Sequence, residues 1–543
     1  MWLAYPPMGL FPLAWVAPIG WLFACEYKTV LTRRDYFWLW ISGCAFWLAT
    51  LEGVRLVFWA LYFGWVAISL YLAAYIPLFV GATRILRHRW RWPLELAAPV
   101  AWCGLEVFRS YFLTGFSSNT LAHSQVPWPT ILQIADQLGG TGISFLMVAT
   151  AASCHQLIVG WGDRKFASAA AVFFGLATAV AICLAYGSWR LKQADALALA
   201  APLMRVLLVQ ENTPSVYAAN AMNPKEAWEL YLAETSRLAV EWGPVDLVVW
   251  PETTFGSSVI ASANLAPRGG YSEEELQAEL AALKRDFDLR IRMLLSAAQG
   301  KSDWQTLPSS TAAPYLLIGV NVAEVNNNAD KFFNSALLVG PDGRALGRYD
   351  KMHPVMFGEY VPLGPALGWL RDILGPGIQA GEHPSSFQVN QVSISPSICF
   401  DSMVPRLISS QVRELVSIGQ APDVLINITN DSWFKSSAIL DHHLACSTLC
   451  AVENRRPMLV AANNGLSANI DGSGRVLAVS QRSAAGGVFA EPHRDNRWGL
   501  VQTVGYPLGW LCSWIIMASF CAETALWLRG RTKATKTSIT PPH

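Results

Sequence analysis

Three positions in this sequence set a reactive side chain at the end of a strand-like run. Asp246-Leu247-Val248-Val249-Trp250-Pro251-Glu252 is an apolar strand, a proline break and then a carboxylate. Tyr349-Asp350-Lys351-Met352-His353 places a lysine just after a hairpin strand. Ser393-Ile394-Ser395-Pro396-Ser397-Ile398-Cys399-Phe400-Asp401 is a strand that delivers a thiol. In α/β sheets, strand ends and the loops after them are where functional groups collect. A thiol becomes a nucleophile when a neighbouring base takes its proton, and a carboxylate can be that base and later return the proton to a leaving group. A lysine aimed at the developing oxyanion stabilises the tetrahedral state, by several kcal/mol in a dry site. Taken singly, each residue has an ordinary reading: Cys399 a buried structural thiol, Glu252 a helix-capping carboxylate, Lys351 a solvated charge. Together their types and placement reach acyl transfer through a thiol.

These residues need a sheet to hold them, and residues 204–490 read as an α/β domain. Strands are expected at 205–210, 246–250, 315–320, 335–339, 392–398, 424–428 and 458–462, with turn signals at Pro341-Asp342-Gly343 and Asp471-Gly472-Ser473-Gly474. Stretches 226–241 and 272–295 have helical character, and 299–313 reads as a polar surface loop.

The flanks are of another kind. Hydrophobic residues make up 52% of the 543 and charged residues 15%, and the mean hydropathy of +0.29 is too high for a soluble enzyme of this size. Residues 1–195 hold about six apolar runs (7–25, 36–51, 57–83, 96–108, 138–161 and 167–189), and 498–530 holds a last one at 500–528. Most approach the ~20 residues needed to cross a bilayer, with Trp and Tyr crowding their ends. Basic residues favour alternate loops: Lys28, Arg33 and Arg34; Arg84, Arg87, Arg89 and Arg91; Arg164 and Lys165; Arg529, Arg531, Lys533 and Lys536. The other loops carry Arg55, Arg109, Arg190 and Lys192. Positive residues stay inside, so domain 204–490 and Met1 are expected outside the cytoplasm, with a disordered cytoplasmic tail at 531–543. The N-terminus lacks the basic start of a secretory signal, and Pro6, Pro7, Pro12 and Pro18 suit a broken span. A net charge of +1 suggests neither a nucleic-acid nor a highly acidic partner, and no nucleic acid is expected. Seven of ten cysteines lie in apolar runs, leaving Cys399, Cys446 and Cys450, which cannot all pair with one another.

The order Glu252, Lys351, Cys399 resembles the carbon–nitrogen hydrolase (nitrilase) superfamily. Longer stretches narrow the match. Lys351-Met352-His353-Pro354-Val355-Met356-Phe357-Gly358-Glu359-Tyr360-Val361-Pro362, Asn430-Asp431-Ser432-Trp433-Phe434, Asn463-Asn464-Gly465 and Leu113-Thr114-Gly115-Phe116 look like motifs of the bacterial apolipoprotein N-acyltransferases. The resemblance spans nearly the whole chain. It implies an α-helical transmembrane bundle plus an α/β nitrilase-like domain folded as an αββα sandwich. Cys399 would be the nucleophile, Glu252 the general base and Lys351 the oxyanion stabiliser. Glu359 would be a second acid supporting Lys351, with Phe400 and Asp401 where relatives often carry Tyr and Glu. The implied reaction moves a fatty acyl chain from a phospholipid donor to the N-terminal amine of a diacylated apolipoprotein, by a ping-pong route through a thioester. Membrane lipids are the implied surroundings, in the bacterial inner membrane with a periplasmic catalytic domain. A monomer without cofactor or metal is expected. Relatives usually open with one more span, so either an upstream start or a seven-span form is expected. Relatives also often carry Arg at Cys450 and Val460 and Thr at Ala462, differences expected to touch the substrate pocket rather than the triad.

Rival readings are a membrane-tethered amidase or nitrilase acting on an extracytoplasmic amide, and a non-catalytic lipoprotein-binding homologue. The intact Glu252, Lys351 and Cys399 argue against the second. His442, Cys446 and Cys450 share one helical face with metal-friendly ligands, although a zinc site would need a fourth group. Glu106 and Arg109, three apart, could touch a lipid headgroup or form an interfacial ion pair. Leu363, Leu367, Leu370 and Leu374, with Trp369 alongside, fall near helical spacing and could gate lipid entry.

Overall fold

The computed structural model describes residues 1–57, 59, 61–161, 166–214, 222–263, 272–301, 313–325, 330–362 and 377–537. The expected gating helix at Leu363–Leu374 lies outside the described residues, as do Arg164, Lys165 and all but the ends of the 299–313 loop. The chain divides into two compact units: Met1–Leu51, Phe63–Gly187 and Tyr506–His543 form one, and Glu52–Tyr62 and Ser188–Gly505 the other.

Among the described residues, the second unit holds two sheets. The first has seven strands: β1 (Val206–Gln210), β2 (Leu247–Val249), β3 (Ser258–Ala263), β4 (Tyr315–Val325), β5 (Lys331–Val339), β6 (Ala345–Asp350) and β13 (Gly486–Ala490). Their order is β13-β1-β2-β4-β5-β6, with β3 paired to β4. The second runs β12-β11-β10-β9-β8-β7, from β7 (Phe387–Val389), β8 (Val392–Ile398), β9 (Val424–Thr429), β10 (Met458–Ala462), β11 (Ala468–Ile470) and β12 (Val476–Val479). Each sheet is built on a parallel trio, β1-β2-β4 in one and β8-β9-β10 in the other. Helices connect the trios: Pro224–Trp242 and Glu273–Ala297 in the first, Pro405–Ser417 and Ile439–Asn454 in the second.

The residues sort themselves by strand periodicity. Leu208, Val249 and Leu317 pack with Ile394, Ile426 and Leu459 between the sheets. Their strand neighbours Leu207, Val209, Val248 and Leu316 pack outward against Trp228, Leu232 and Leu294 of the first pair of helices. Leu425, Met458 and Val460 pack outward against Ile408, Val412 and Cys450 of the second pair. Both faces of each trio are therefore buried, which is why β1, β2 and β10 read as apolar runs, whereas β8 alternates apolar residues with Ser393, Ser395 and Ser397. The layers are helix, sheet, sheet, helix, the αββα sandwich that the resemblance implied. Cys450 and Val460 belong to the outer helix–sheet core and Ala462 is fully buried, so these three fill a core rather than line a pocket.

Among the described residues, four helices are long and apolar enough to cross a membrane: Leu61–Arg89, Ala135–Val159, Phe166–Leu197 and Pro507–Arg529. The other expected spans differ for local reasons. Run 7–25 is broken by its prolines into a 3-10 turn at Phe11–Trp15 and a short helix at Ile19–Glu26. The helix Arg33–Thr50 opens with charged Arg33, Arg34 and Asp35, held by a capping box between Thr32 and Asp35. Leu94–Arg109 has 16 residues, short of the ~20 that a bilayer requires. A Cβ at Gly104 would lie 2.7 Å from the carbonyl of Cys512, so only glycine lets this helix meet the last one so closely. The last apolar run begins at Pro507 instead of 500 because Gly505, at φ +75°, ends a separate turn of helix at Val501–Val504. That final helix continues to Thr537, well into the stretch expected to be a disordered tail.

Glu106 and Arg109 do not bond to each other. The Glu106 carboxylate accepts from Trp102 Nε1 at 2.8 Å and from the Leu121 amide at 3.0 Å. Arg109 donates to the Ser118 carbonyl at 3.1 Å and lies over the rings of Trp47 and Phe116. At one end of the first unit the basic loops gather. Arg84 donates to the carbonyls of Ala24, Tyr27 and Thr29, Arg87 pairs with Glu26 at 2.7 Å, and Arg89 approaches Glu523 at 3.4 Å.

Candidate active site

The first carboxylate is delivered by a strand that stops. β2 ends at Val249, Trp250 is anchored by its indole donating to Thr235 Oγ1 at 3.0 Å, and Pro251 turns the chain before Glu252. The turn lies directly on β4. A Cβ at Gly319 would sit 2.4 Å from the Pro251 carbonyl and 2.6 Å from Glu252 Cα, so any larger residue there would displace the carboxylate. Lys351 is the first residue past β6, and its amide donates to the Asn334 carbonyl of β5 at 2.9 Å.

These elements bring four side chains into one buried network. Lys351 Nζ donates to Glu359 Oε1 at 2.8 Å and to Glu252 Oε1 at 3.1 Å. Asn334 Nδ2 donates to the same two atoms, at 3.3 Å and 2.6 Å. The remaining carboxylate oxygens accept from backbone: Glu252 Oε2 from the Asn430 amide at 2.9 Å, Glu359 Oε2 from the Val355 amide at 2.8 Å. Lys351 is 1% exposed and Glu252 5%, so these charges survive burial only because each is paired and hydrogen-bonded. Burial alone would lower the Lys351 pKa, but Glu252, the Cys399 thiol and Glu359 outweigh it and hold the ammonium well above its usual value.

Cys399 is the first residue past β8 and has a left-handed backbone, φ +48°. Burial first, then the negative charge of Glu252, push its thiol well above the ordinary range, with Lys351 pulling the other way. The resting group is thus a thiol within electrostatic reach of a carboxylate and an ammonium, and it needs a base before it can attack. The residue as a whole is only partly buried.

Asp401 joins the two strand ends. Oδ2 accepts from the Ile398 amide at 3.0 Å and Tyr349 Oη at 2.8 Å, and Oδ1 accepts from the His353 amide at 2.8 Å. Burial raises its carboxyl pKa to about 6 against these opposing contacts. The Phe400 ring stacks on His353, with centroids 5.6 Å apart. His442, Cys446 and Cys450 lie on the buried helix Ile439–Asn454, where Cys450 Sγ donates to the Ser402 carbonyl at 3.5 Å. Among the described residues no three His, Cys, Asp or Glu side chains are grouped to hold a metal.

Sequence reasoning passed over Asn334, which touches both acids. Its signal was a polar Asn334-Ser335 pair inside the otherwise apolar Phe332–Val339 stretch, where a buried amide needs partners. It also passed over His443, taking His442 instead as the residue of interest on that helix.

The sequence has relatives that match along its whole length. Residues 1–153 match the family model for the apolipoprotein N-acyltransferase N-terminal domain, and residues 205–495 match that for carbon–nitrogen hydrolase. The apolipoprotein N-acyltransferase of Rhodopirellula baltica is 30% identical over 98% of this chain and 97% of its own. That of Geobacter metallireducens is 28% identical over 94% of this chain and 90% of its own. Among solved structures, an amidase from Nesterenkonia sp. aligns with 56% of this chain and 94% of its own at 16% identity and a TM-score of 0.35. With both domain types in this order, and a relative of this identity aligned from end to end, the chain belongs to the apolipoprotein N-acyltransferase family, as a membrane acyltransferase with a carbon–nitrogen hydrolase domain.

Proposed function

We propose that this acyltransferase works in two half-reactions through a thioester on Cys399. The acyl donor is a membrane phospholipid, and the acceptor is the α-amine of the S-diacylglyceryl-cysteine that begins an apolipoprotein. Glu252 takes the thiol proton as sulfur attacks the ester carbonyl. Lys351 has three N–H bonds, two of them engaged by Glu252 and Glu359, and the third meets the oxyanion. The tetrahedral intermediate collapses, the C–O bond breaks, and Glu252 returns the proton to the departing lysophospholipid oxygen. The acceptor amine then attacks the thioester. Its proton passes to Glu252, the C–S bond breaks, and the thiolate regains that proton, restoring the resting site.

The observation that carries this reading is the pairing of one buried lysine with a buried carboxylate, Glu252, and a partly buried one, Glu359, beside a thiol that forms no disulfide. Glu252 is held at both oxygens, which fixes its direction. Residues 1–195 and 498–530 would supply the spans, with 204–490 on the periplasmic face of the inner membrane and 531–543 in the cytoplasm. The gathering of Arg84, Arg87 and Arg89 at the end of the bundle that also holds Glu523 supports that orientation. A monomer needing no cofactor suffices for this chemistry.

Intact mass of the purified protein tests the scheme. Incubation with phospholipid alone should add one fatty-acyl mass, sensitive to neutral hydroxylamine and absent in Cys399→Ala. A diacylated lipopeptide with a free amine should discharge the adduct and become acylated, whereas its N-acetylated form should not. Discharge at equal rates with both peptides would make the protein a hydrolase and sink the transfer reading.

A further inference from the structure

The thiol's backbone is unusual, and something must hold it. A non-glycine residue in the left-handed region carries a cost on the order of 1–2 kcal/mol and persists only when its surroundings enforce it. At Cys399 the enforcement falls on its carbonyl oxygen. Three donors reach that atom: His443 Nε2 at 3.1 Å, Ser402 Oγ at 3.2 Å and Asn427 Nδ2 at 3.4 Å. His443 is 4% exposed and comes from the helix Ile439–Asn454. Its other nitrogen, Nδ1, lies 3.1 Å from Asp431 Oδ1, and Nε2 also lies 2.8 Å from Ser402 Oγ.

Asp431 is itself fixed. Thr429 Oγ1 donates to its Oδ1 at 3.0 Å, and a Cβ at Gly465 would lie 2.2 Å from its Oδ2. The imidazole therefore spans a carboxylate and a carbonyl, both pure acceptors, and satisfies them together only when both ring nitrogens carry hydrogen. Burial works against a charged ring here, but Asp431 outweighs it, and the Cys399 carbonyl and Glu252 add to the upward shift of the His443 pKa. Nothing in the thioester scheme uses this pair.

We propose that His443, braced as an imidazolium by Asp431, is a positioning residue: it grips the carbonyl of Cys399 and so holds the strained backbone that presents the thiol. It touches no substrate atom. It rests on Cys399 being the nucleophile. Its loss should lower the rate of acylation at saturating phospholipid while leaving the apparent KM for that lipid unchanged.

The experiment follows acyl-adduct formation on the full chain in detergent–phospholipid micelles, alongside the rate at which iodoacetamide alkylates Cys399. His443→Ala should slow both by about 10- to 100-fold, the scale of a charge-assisted bond lost in a buried site. His443→Gln can place an N–H where Nε2 stood and should recover much of the rate. His443→Asn reaches only the Asp431 side and should not. This pair decides the matter even if the alanine variant fails to fold. Equal loss in the Gln and Asn variants, or a raised KM at unchanged maximal rate, overturns the assignment. Adduct formation surviving in Cys399→Ala would instead overturn the nucleophile itself, a failure that the His443 variants cannot mimic.

Discussion

The two sheets of the catalytic unit contribute to the site in opposite ways. The first sheet and the loop after its strand β6 supply Glu252, Asn334, Lys351 and Glu359, polar groups that are buried or partly buried and satisfied chiefly by one another. The second supplies Cys399 on a strained turn, gripped through its main chain by His443, Ser402 and Asn427. One half stores electrostatic complementarity and the other stores conformational strain. Buried charge is costly to break, because removing one member strands the rest, while a gripped backbone loosens by degrees.

That contrast predicts a ranking. Lys351→Met should have the largest effect, since it strands the buried Glu252 carboxylate and the partly buried Glu359: unfolding free energy should fall by about 3–5 kcal/mol and the acyl adduct should become undetectable. Thermal unfolding in detergent with intact-mass adduct assays reads both, and a variant as stable as the parent would break the comparison. Glu252→Gln leaves Lys351 paired with Glu359, so the fold should hold while adduct formation drops about 10²- to 10⁴-fold. Asn334→Ala removes one neutral donor shared between two acids, and a loss of roughly 10-fold in acylation rate is expected, read by the same assay.

The last effect is on stability and concerns pH. The Asp401 carboxyl has its folded pKa raised from 3.8 to about 6, so the unfolded chain gives up this proton more readily than the folded one. The sign follows: the raised value favours the folded state below pH 4, and that contribution is lost as pH rises toward 6. At about 1.4 kcal/mol per pH unit the difference reaches roughly 3 kcal/mol. Asp401→Asn should flatten the melting temperature between pH 4 and 6 relative to the parent, at a lower overall stability. Parallel pH profiles for the two proteins would sharpen the comparison against any such role for Asp401.

Much of this was legible in the sequence for identifiable reasons. β1, β2 and β10 showed as apolar runs because both faces are buried, and Glu252 showed as a polar residue at the end of one, whereas Lys351 and Cys399 showed as reactive side chains after the mixed strands Ala345–Asp350 and Val392–Ile398. β7, β11 and β12 are three or four residues long and fall below any periodic signal, and β13 joins the first sheet from the far end of the domain. His443 was hidden because its helix is buried almost all round, so periodicity could not tell its face from that of His442. Among the spans, hydropathy found the apolar runs but not the breaks: prolines divide 7–25, and Gly505 separates Val501–Val504 from the last helix.

The left-handed turn at Cys399 sets sturdiness and activity against each other. Glycine adopts φ +48° without penalty, so Cys399→Gly would relieve on the order of 1 kcal/mol at the cost of all turnover. A mutational scan scored by the amount of folded protein would place that variant at or above the parent, whereas one scored by lipoprotein acylation would place it last. Selection on stability alone would erode the thiol, so its presence at a position suited to glycine is what the proposed nucleophilic role of Cys399 requires.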